Sequence, residues 1–229
     1  MHQGPQGYTR QQATTSNNPA HSNAWSYSTF FDSMYDQAFY GRAPARIGDA
    51  IDLGPMAPVF VRLRALAHQD REHGRLGFVN QSSRVLSFEP TQVGTSDRIV
   101  LEYTTSATKR AAIMLHTHPR EAGTMRSIEH FSEVDLLSFV QAPHLLASVV
   151  VTPRFALMLV KTHLTELVPK ASRSQRIADL AREAIRLACS PGDAPRIATK
   201  LAAIEFGMSL FLIDPSKEAL IAQKVSLGS

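Results

Sequence analysis

The sequence predicts an α/β fold: a mixed, curved sheet flanked by helices, preceded by a disordered polar tail. Three observations carry that reading. Short, mainly apolar runs at 111–115 and 147–151 have strand length, and His116 and Thr152 end them. Apolar residues recur at helical spacing over about 58–68, 174–189 and 193–206. The first 46 residues contain no Val, Ile or Leu, so the usual core-forming side chains begin only at Ile47.

The tail comes first. Gln, Asn, Ser and Thr dominate it, and Arg10 is its only charged residue before Asp32. Such a segment buries too little apolar surface to offset the entropy of ordering it. Residues 1–45 therefore read as disordered, and 46–229 as one domain. Trp25, Tyr27, Phe30, Phe31, Tyr35, Phe39 and Tyr40 interrupt the polar run. They fit either a short segment docked on the domain or one that binds a partner or a secretion machinery.

The domain then alternates. Val59, Phe60, Leu63 and Leu66 mark a helix, and strands follow at about 75–80, 84–89, 98–104 and 111–117. A helix over 132–141 precedes strands at 145–152 and 155–161, joined by a tight turn at Thr152-Pro153-Arg154. The largely apolar run 147–151, in which Ser148 is the one polar residue, suits a central strand covered on both faces. Ile177, Leu180, Ala184 and Leu187 share one face of the next helix, which Ser190-Pro191-Gly192 ends. The last helix starts at Asp193 as cap, runs through Ile197, Leu201 and Ile204, and stops at Gly207; residues 208–213 form a final strand. Cys189, the single cysteine, excludes an internal disulfide, fits a reducing compartment or indifference to redox state, and reads as a buried helix residue.

Composition narrows the function classes. No apolar run approaches a membrane span, and the start lacks a basic-then-apolar signal peptide. The expected location is cytoplasmic, or outside the cell through a specialised secretion system without a cleaved signal. The net charge of +4 resides in 161–200, on helices whose basic faces suit solvent, and no nucleic-acid reader motif accompanies it.

The chemistry-bearing residues cluster around His116-Thr117-His118-Pro119. Residues two apart on a strand face the same way, so both imidazoles project together. Zinc takes three protein ligands and a water in a catalytic site, and Asp135 at the next helix start supplies the third ligand. A zinc-activated water needs a general base, and Glu72 stands just before a strand whose Gly74 and Gly77 permit close approach. Ser132 offers a hydroxyl to the oxyanion. Ser132-x-x-Asp135 also reads as a plain helix cap with an acidic residue at its third position. Asp135 lies 17 residues after His118, and Glu121, Glu129 and His130 between them are rival ligands. His68, His73, His144 and His163 read as surface or packing residues.

A Glu before a glycine-punctuated strand, then His-x-His-Pro, then Ser-x-x-Asp resembles the JAMM (MPN+) zinc metalloprotease family, and most of all its bacterial JAB-like branch of secreted toxins and effectors. The likeness covers about 56–161 and, more weakly, the chain to 214. It implies a JAB/MPN-like (cytidine-deaminase-like) fold with one zinc per chain on His116, His118 and Asp135. It implies Glu72 as base, Ser132 as oxyanion donor, Pro119 as a structural residue, and a protein or peptide substrate, ubiquitin-like proteins included. Arg75 departs from the family pattern, which has a small residue there. Two rival readings stand beside the peptidase: a scaffold of the same fold without metal, and a structural zinc site in an interaction protein.

Overall fold

The computed structural model describes residues 23–102, 104–119 and 129–227. Within them, ten strands form one curled, mixed sheet in the order β1-β2-β10-β9-β8-β7-β6-β3-β4, with β5 also pairing β3. The strands are β1 (Ala24–Trp25), β2 (Ala50–Asp52), β3 (His73–Asn80), β4 (Leu86–Phe88), β5 (Gln92–Val93), β6 (Lys109–Thr117), β7 (Ala147–Val151), β8 (Ala156–Val160), β9 (Ser209–Ile213) and β10 (Ile221–Lys224). The helices are α1 (Tyr27–Tyr40), α2 (Ala57–Leu66), α3 (Glu133–Gln141), α4 (His163–Leu167), α5 (Lys170–Leu187) and α6 (Ala194–Glu205). Only β1–β2 and β6–β7 pair in parallel; α3 lies in the chain between β6 and β7.

Two cores hold the layers together. One packs Phe30, Met34, Phe60 and Leu63 of α1 and α2 on one face of the sheet, against Ala112, Leu115, Val149 and Val151. The other packs Phe139, Ile177 and Ala202 of α3, α5 and α6 on the opposite face, against Leu76, Val150 and Leu159. β7 and β8 are buried along their whole length, as the apolar run 147–151 requires of a doubly covered strand.

The expected tail disorder does not hold for residues 23–45. Ser26 caps α1 by accepting the Thr29 N–H at 3.2 Å, and Gly41, at φ 63°, closes it in the left-handed region where glycine carries no steric penalty. Phe30, Met34, Tyr35 and Ala38 form its buried face, so aromatic residues and Met supply the apolar area that Val, Ile and Leu supply elsewhere. The docked segment is therefore the reading that applies here; residues 1–22 lie outside the described residues. Phe30→Ala is expected to cost about 3–5 kcal/mol in urea unfolding; a loss under about 1 kcal/mol would place α1 off the domain.

Three further expectations are corrected. Residues 98–102 are not a strand; Tyr103 lies outside the described residues. The Gln92 side chain takes the place of a ladder, donating to Glu102 O at 2.8 Å and accepting from Glu102 N at 2.9 Å. Cys189 is exposed rather than buried, because α5 ends at Leu187 and Ala188 is extended. Leu187 and Ile204 are also exposed, leaving Ile177, Ala184, Ala198, Ala202 and Ala203 as the buried stripes of α5 and α6. The short elements β1, β2, β5, β10 and α4 carry no periodicity long enough to announce them. Among the described residues, no helix is long and apolar enough to cross a membrane.

Candidate metal centre

The centre is built at the end of β6. This strand pairs antiparallel with β3 on one side and parallel with β7 on the other. His118 N–H donates to Val151 O at 3.1 Å, so the extended backbone continues one residue past the strand. Alternation then turns both imidazoles to the same face. Their Nε2 atoms lie 3.1 Å apart, and both side chains are buried.

Asp135 reaches the pair from α3. Ser132 is the N-cap, and the full capping box is present: Asp135 N–H donates to Ser132 Oγ at 3.2 Å. In return, Asp135 Oδ2 accepts both Ser132 N–H and Ser132 Oγ–H, each at 2.7 Å. Asp135 Oδ1 stands 3.1 Å from His116 Nε2, and Oδ2 stands 3.2 Å from His118 Nε2. The motif is thus a helix cap that also brings its carboxylate to both imidazoles. Oδ2 is engaged by Ser132, which leaves Oδ1 the freer ligand atom and fixes the carboxylate's direction, as an outer-shell partner does. Burial pushes the Asp135 carboxyl up, but the charge and hydrogen bonds of His116 and His118 outweigh it and hold it well below the usual carboxylate range.

These three residues could hold a metal ion. Their ligand atoms all lie within 4.8 Å of one another. A tetrahedral zinc with bonds of ~2.0–2.1 Å separates its ligands by roughly 3.3 Å. The His–His and His–Asp separations of 3.1–3.2 Å sit close to that edge length. Two imidazole nitrogens and one carboxylate oxygen also match the donor set of an open zinc site. No other such group of His, Cys, Asp or Glu occurs among the described residues.

Glu72 faces the same centre through strand register. Gly74 of β3 pairs with His116 of β6, so the antiparallel register carried back two residues sets Glu72 opposite His118. Thr117, between the two histidines, accepts the His73 N–H on its Oγ1 at 2.9 Å and ties that end of β3 to the ligand strand. The Glu72 backbone is held from the other side: its N–H donates to Thr95 O at 2.7 Å, and its carbonyl accepts Gly94 N–H at 2.8 Å. Gly74 and Gly77 do allow close approach. A Cβ on Gly74 would lie 2.5 Å from Leu101 Cδ2, and one on Gly77 2.6 Å from Ile113 Cγ2. Arg75 points away from this packing, donating to Glu89 O and Phe88 O and stacking over the Phe88 ring.

Burial pushes the Glu72 carboxyl up to about 7; His118 opposes the shift, while Asp135 and Asp97 reinforce it and an Ile99 backbone hydrogen bond opposes it again. The folded chain therefore holds this proton more tightly than the unfolded chain. The stability Glu72 contributes is complete below about pH 4.5 and is lost as pH rises through about 7. Zinc-free Glu72→Gln is accordingly expected to exceed zinc-free wild type at pH 8 by up to about 3 kcal/mol, with the gain vanishing toward pH 4.5. Urea midpoints across that range measure it, and a constant difference at every pH would contradict the assignment.

Of the rival ligands, Glu129 and His130 do not join the centre. Glu129 pairs with Arg154 at 3.3 Å. His130 packs against the Phe155 ring, 6.5 Å between centroids, and its buried Nδ1 has no hydrogen-bond partner among the described residues. Burial lowers its pKa to about 4, aided by Arg196, His118 and Lys200. Glu121 lies outside the described residues. Sequence reasoning missed Thr117 and the segment 94–99 over Glu72; the only signal for Thr117 was its place between two ligands on an alternating strand.

Compared with protein-family models, with curated proteins and with solved structures, the chain matches none.

Proposed function

We propose that the protein is a zinc-dependent hydrolase of amide or isopeptide bonds, of the JAMM (MPN+) type. The observation that carries this reading is the convergence of His116, His118 and Asp135 at tetrahedral spacing, with a buried carboxyl set opposite His118 by strand register. A bound zinc would acidify a water and polarise the substrate carbonyl. His116, His118 and Asp135 would hold that ion, one per chain. Glu72 takes a proton from the attacking water and delivers it to the leaving amine; a carboxyl raised toward neutral pH suits both steps. Ser132 steadies Asp135 through the two bonds to Oδ2. Its hydroxyl serves an oxyanion only by giving up the bond to Asp135, so its first role here is to orient the ligand.

The substrate is a protein or peptide, and ubiquitin-like proteins belong to the class to be tried. The cellular site is the cytoplasm or, by export through a specialised secretion system, outside the cell. The test is a panel of fluorogenic peptides and ubiquitin-type conjugates, run on zinc-loaded protein with and without a chelator. Chelator-sensitive cleavage of any member supports the proposal. Stoichiometric zinc without cleavage across the panel would make the centre structural, and failure to bind zinc would make the protein a scaffold.

A further inference from the structure

α3 carries Asp135 at one end, and three buried donors grip its other end. A helix leaves its last carbonyls without intrahelical partners, and α3 ends in extended backbone at Ala142 rather than in a glycine turn. Ala142 N–H bonds Ser138 O and Phe139 O. Arg173, near the start of α5, donates to Val140 O at 2.5 Å. Lys161, one residue past β8, donates to Ala142 O at 2.5 Å and lies 4.8 Å from the Phe139 ring centroid. Gln37 of α1 donates to Pro143 O at 2.6 Å. All three side chains are at most 1 % exposed. Each is also tied elsewhere. Arg173 donates to Val168 O and Thr165 O, both at 3.1 Å, and Lys161 N–H donates to Leu146 O at 2.9 Å. Glu166 stands 3.3 Å from Gln37 Nε2 and 3.7 Å from Arg173 Nη2. Burial pushes the Lys161 amine down to about 7, with Glu166 opposing the shift and Arg173 and Lys170 reinforcing it. Charged or neutral, that amine still has a proton to give Ala142 O.

This grip does what the capping box cannot. Ser132 and Asp135 bond each other, so their bonds set the carboxylate on the helix but not the helix on the sheet. Leu136, Phe139 and Val140 bury the inner face of α3, but apolar burial is non-directional and permits sliding. The hydrogen bonds at the far end are directional, and burying two cationic side chains to make them is costly. We propose that Gln37, Lys161 and Arg173 are positioning residues of the metal centre: by holding the C-terminal end of α3, they fix where Asp135 Oδ1 stands against His116. Their role rests on the metal-centre reading of His116, His118 and Asp135; the grip itself rests on the hydrogen bonds alone.

The experiment measures zinc affinity, by competition with a chromophoric chelator, for the full chain and three variants. Lys161→Met and Gln37→Met each remove a donor at nearly constant volume. Phe211→Leu, in β9, trims the buried core on the other face of the sheet and serves as the destabilised control. Arg173 is left in place, because its removal strips three carbonyls of their donor at once. Urea midpoints put the variants on one stability scale. Each grip variant is expected to weaken zinc on the order of tenfold, and Phe211→Leu to stay within about twofold of the wild type. Amide hydrogen exchange of the zinc-free protein supplies a readout that needs no metal. The Leu136 amide bonds Ser132 O in the first turn of α3. It is expected to exchange on the order of tenfold faster in the grip variants, while Met158 of β8 keeps its wild-type rate. Gln37→Met, which removes one neutral donor, decides the matter if Lys161→Met does not fold. Zinc affinity unchanged in the grip variants, or weakened as much by Phe211→Leu, overturns the positioning role. A wild type that takes up no zinc sinks the metal-centre reading instead; selectively faster exchange at Leu136 then supports the grip on α3, and unchanged exchange there overturns it.

Discussion

Glu72→Gln is expected to lower kcat by about 10²–10⁴-fold while the protein keeps one zinc per chain. Gln preserves the shape of the side chain, and its carbonyl oxygen still accepts the backbone hydrogen bond at Ile99. What it cannot do is take a proton. The three ligand residues are untouched, so metal content by elemental analysis separates this variant from His116→Ala, which loses metal and activity together. The strand register that sets Glu72 against His118 is also retained, because Thr117 and Thr95 bond backbone groups and not the carboxyl. Turnover within about threefold of wild type, with zinc in place, would remove Glu72 from the chemistry and leave the proton to another group.

The centre was more legible in the sequence than the fold around it, and the reason is physical. His116 and His118 are two apart at the end of an apolar run, so strand periodicity alone turns them together. Ser132 and Asp135 are three apart before an apolar helix, so capping geometry alone sets the carboxylate at the helix start. Local rules sufficed for both pairs, and the parallel β6–β7 pairing, with α3 in the connection, then brings them to one place. Glu72 was legible only through the glycines after it. Thr117, Gln92 and the segment over Glu72 were not, since each acts through a side-chain bond to a backbone distant in the chain. α1 was misread for a different reason. Its buried face is Phe30, Met34, Tyr35 and Ala38, and a reading keyed to Val, Ile and Leu counts that face as polar chain.

Asp135 tests whether the capping box is also a metal site. Asp135→Asn keeps an oxygen that can accept from Ser132 N–H and Oγ–H, so α3 keeps most of its cap. It removes the charge that a divalent cation needs. Saturating zinc, at about a thousandfold above Kd, stabilises a binding-competent fold by about 4 kcal/mol. For a domain of this size that is a rise in Tm on the order of 10 °C, and the wild type is expected to show it. Asp135→Asn is expected to lose nearly all of that rise, and its zinc-free Tm is expected to fall because the carboxylate charge no longer pairs with His116 and His118. Ser132→Ala should fall between them: losing the cap costs about 1 kcal/mol with or without zinc, and losing the outer-shell bond weakens zinc by about 10–100-fold. If the motif were only a cap, Ser132→Ala would lower Tm equally in both conditions and Asp135→Asn would leave the zinc response intact. The two variants separate the roles because Ser132 holds one carboxylate oxygen while the other is turned to His116.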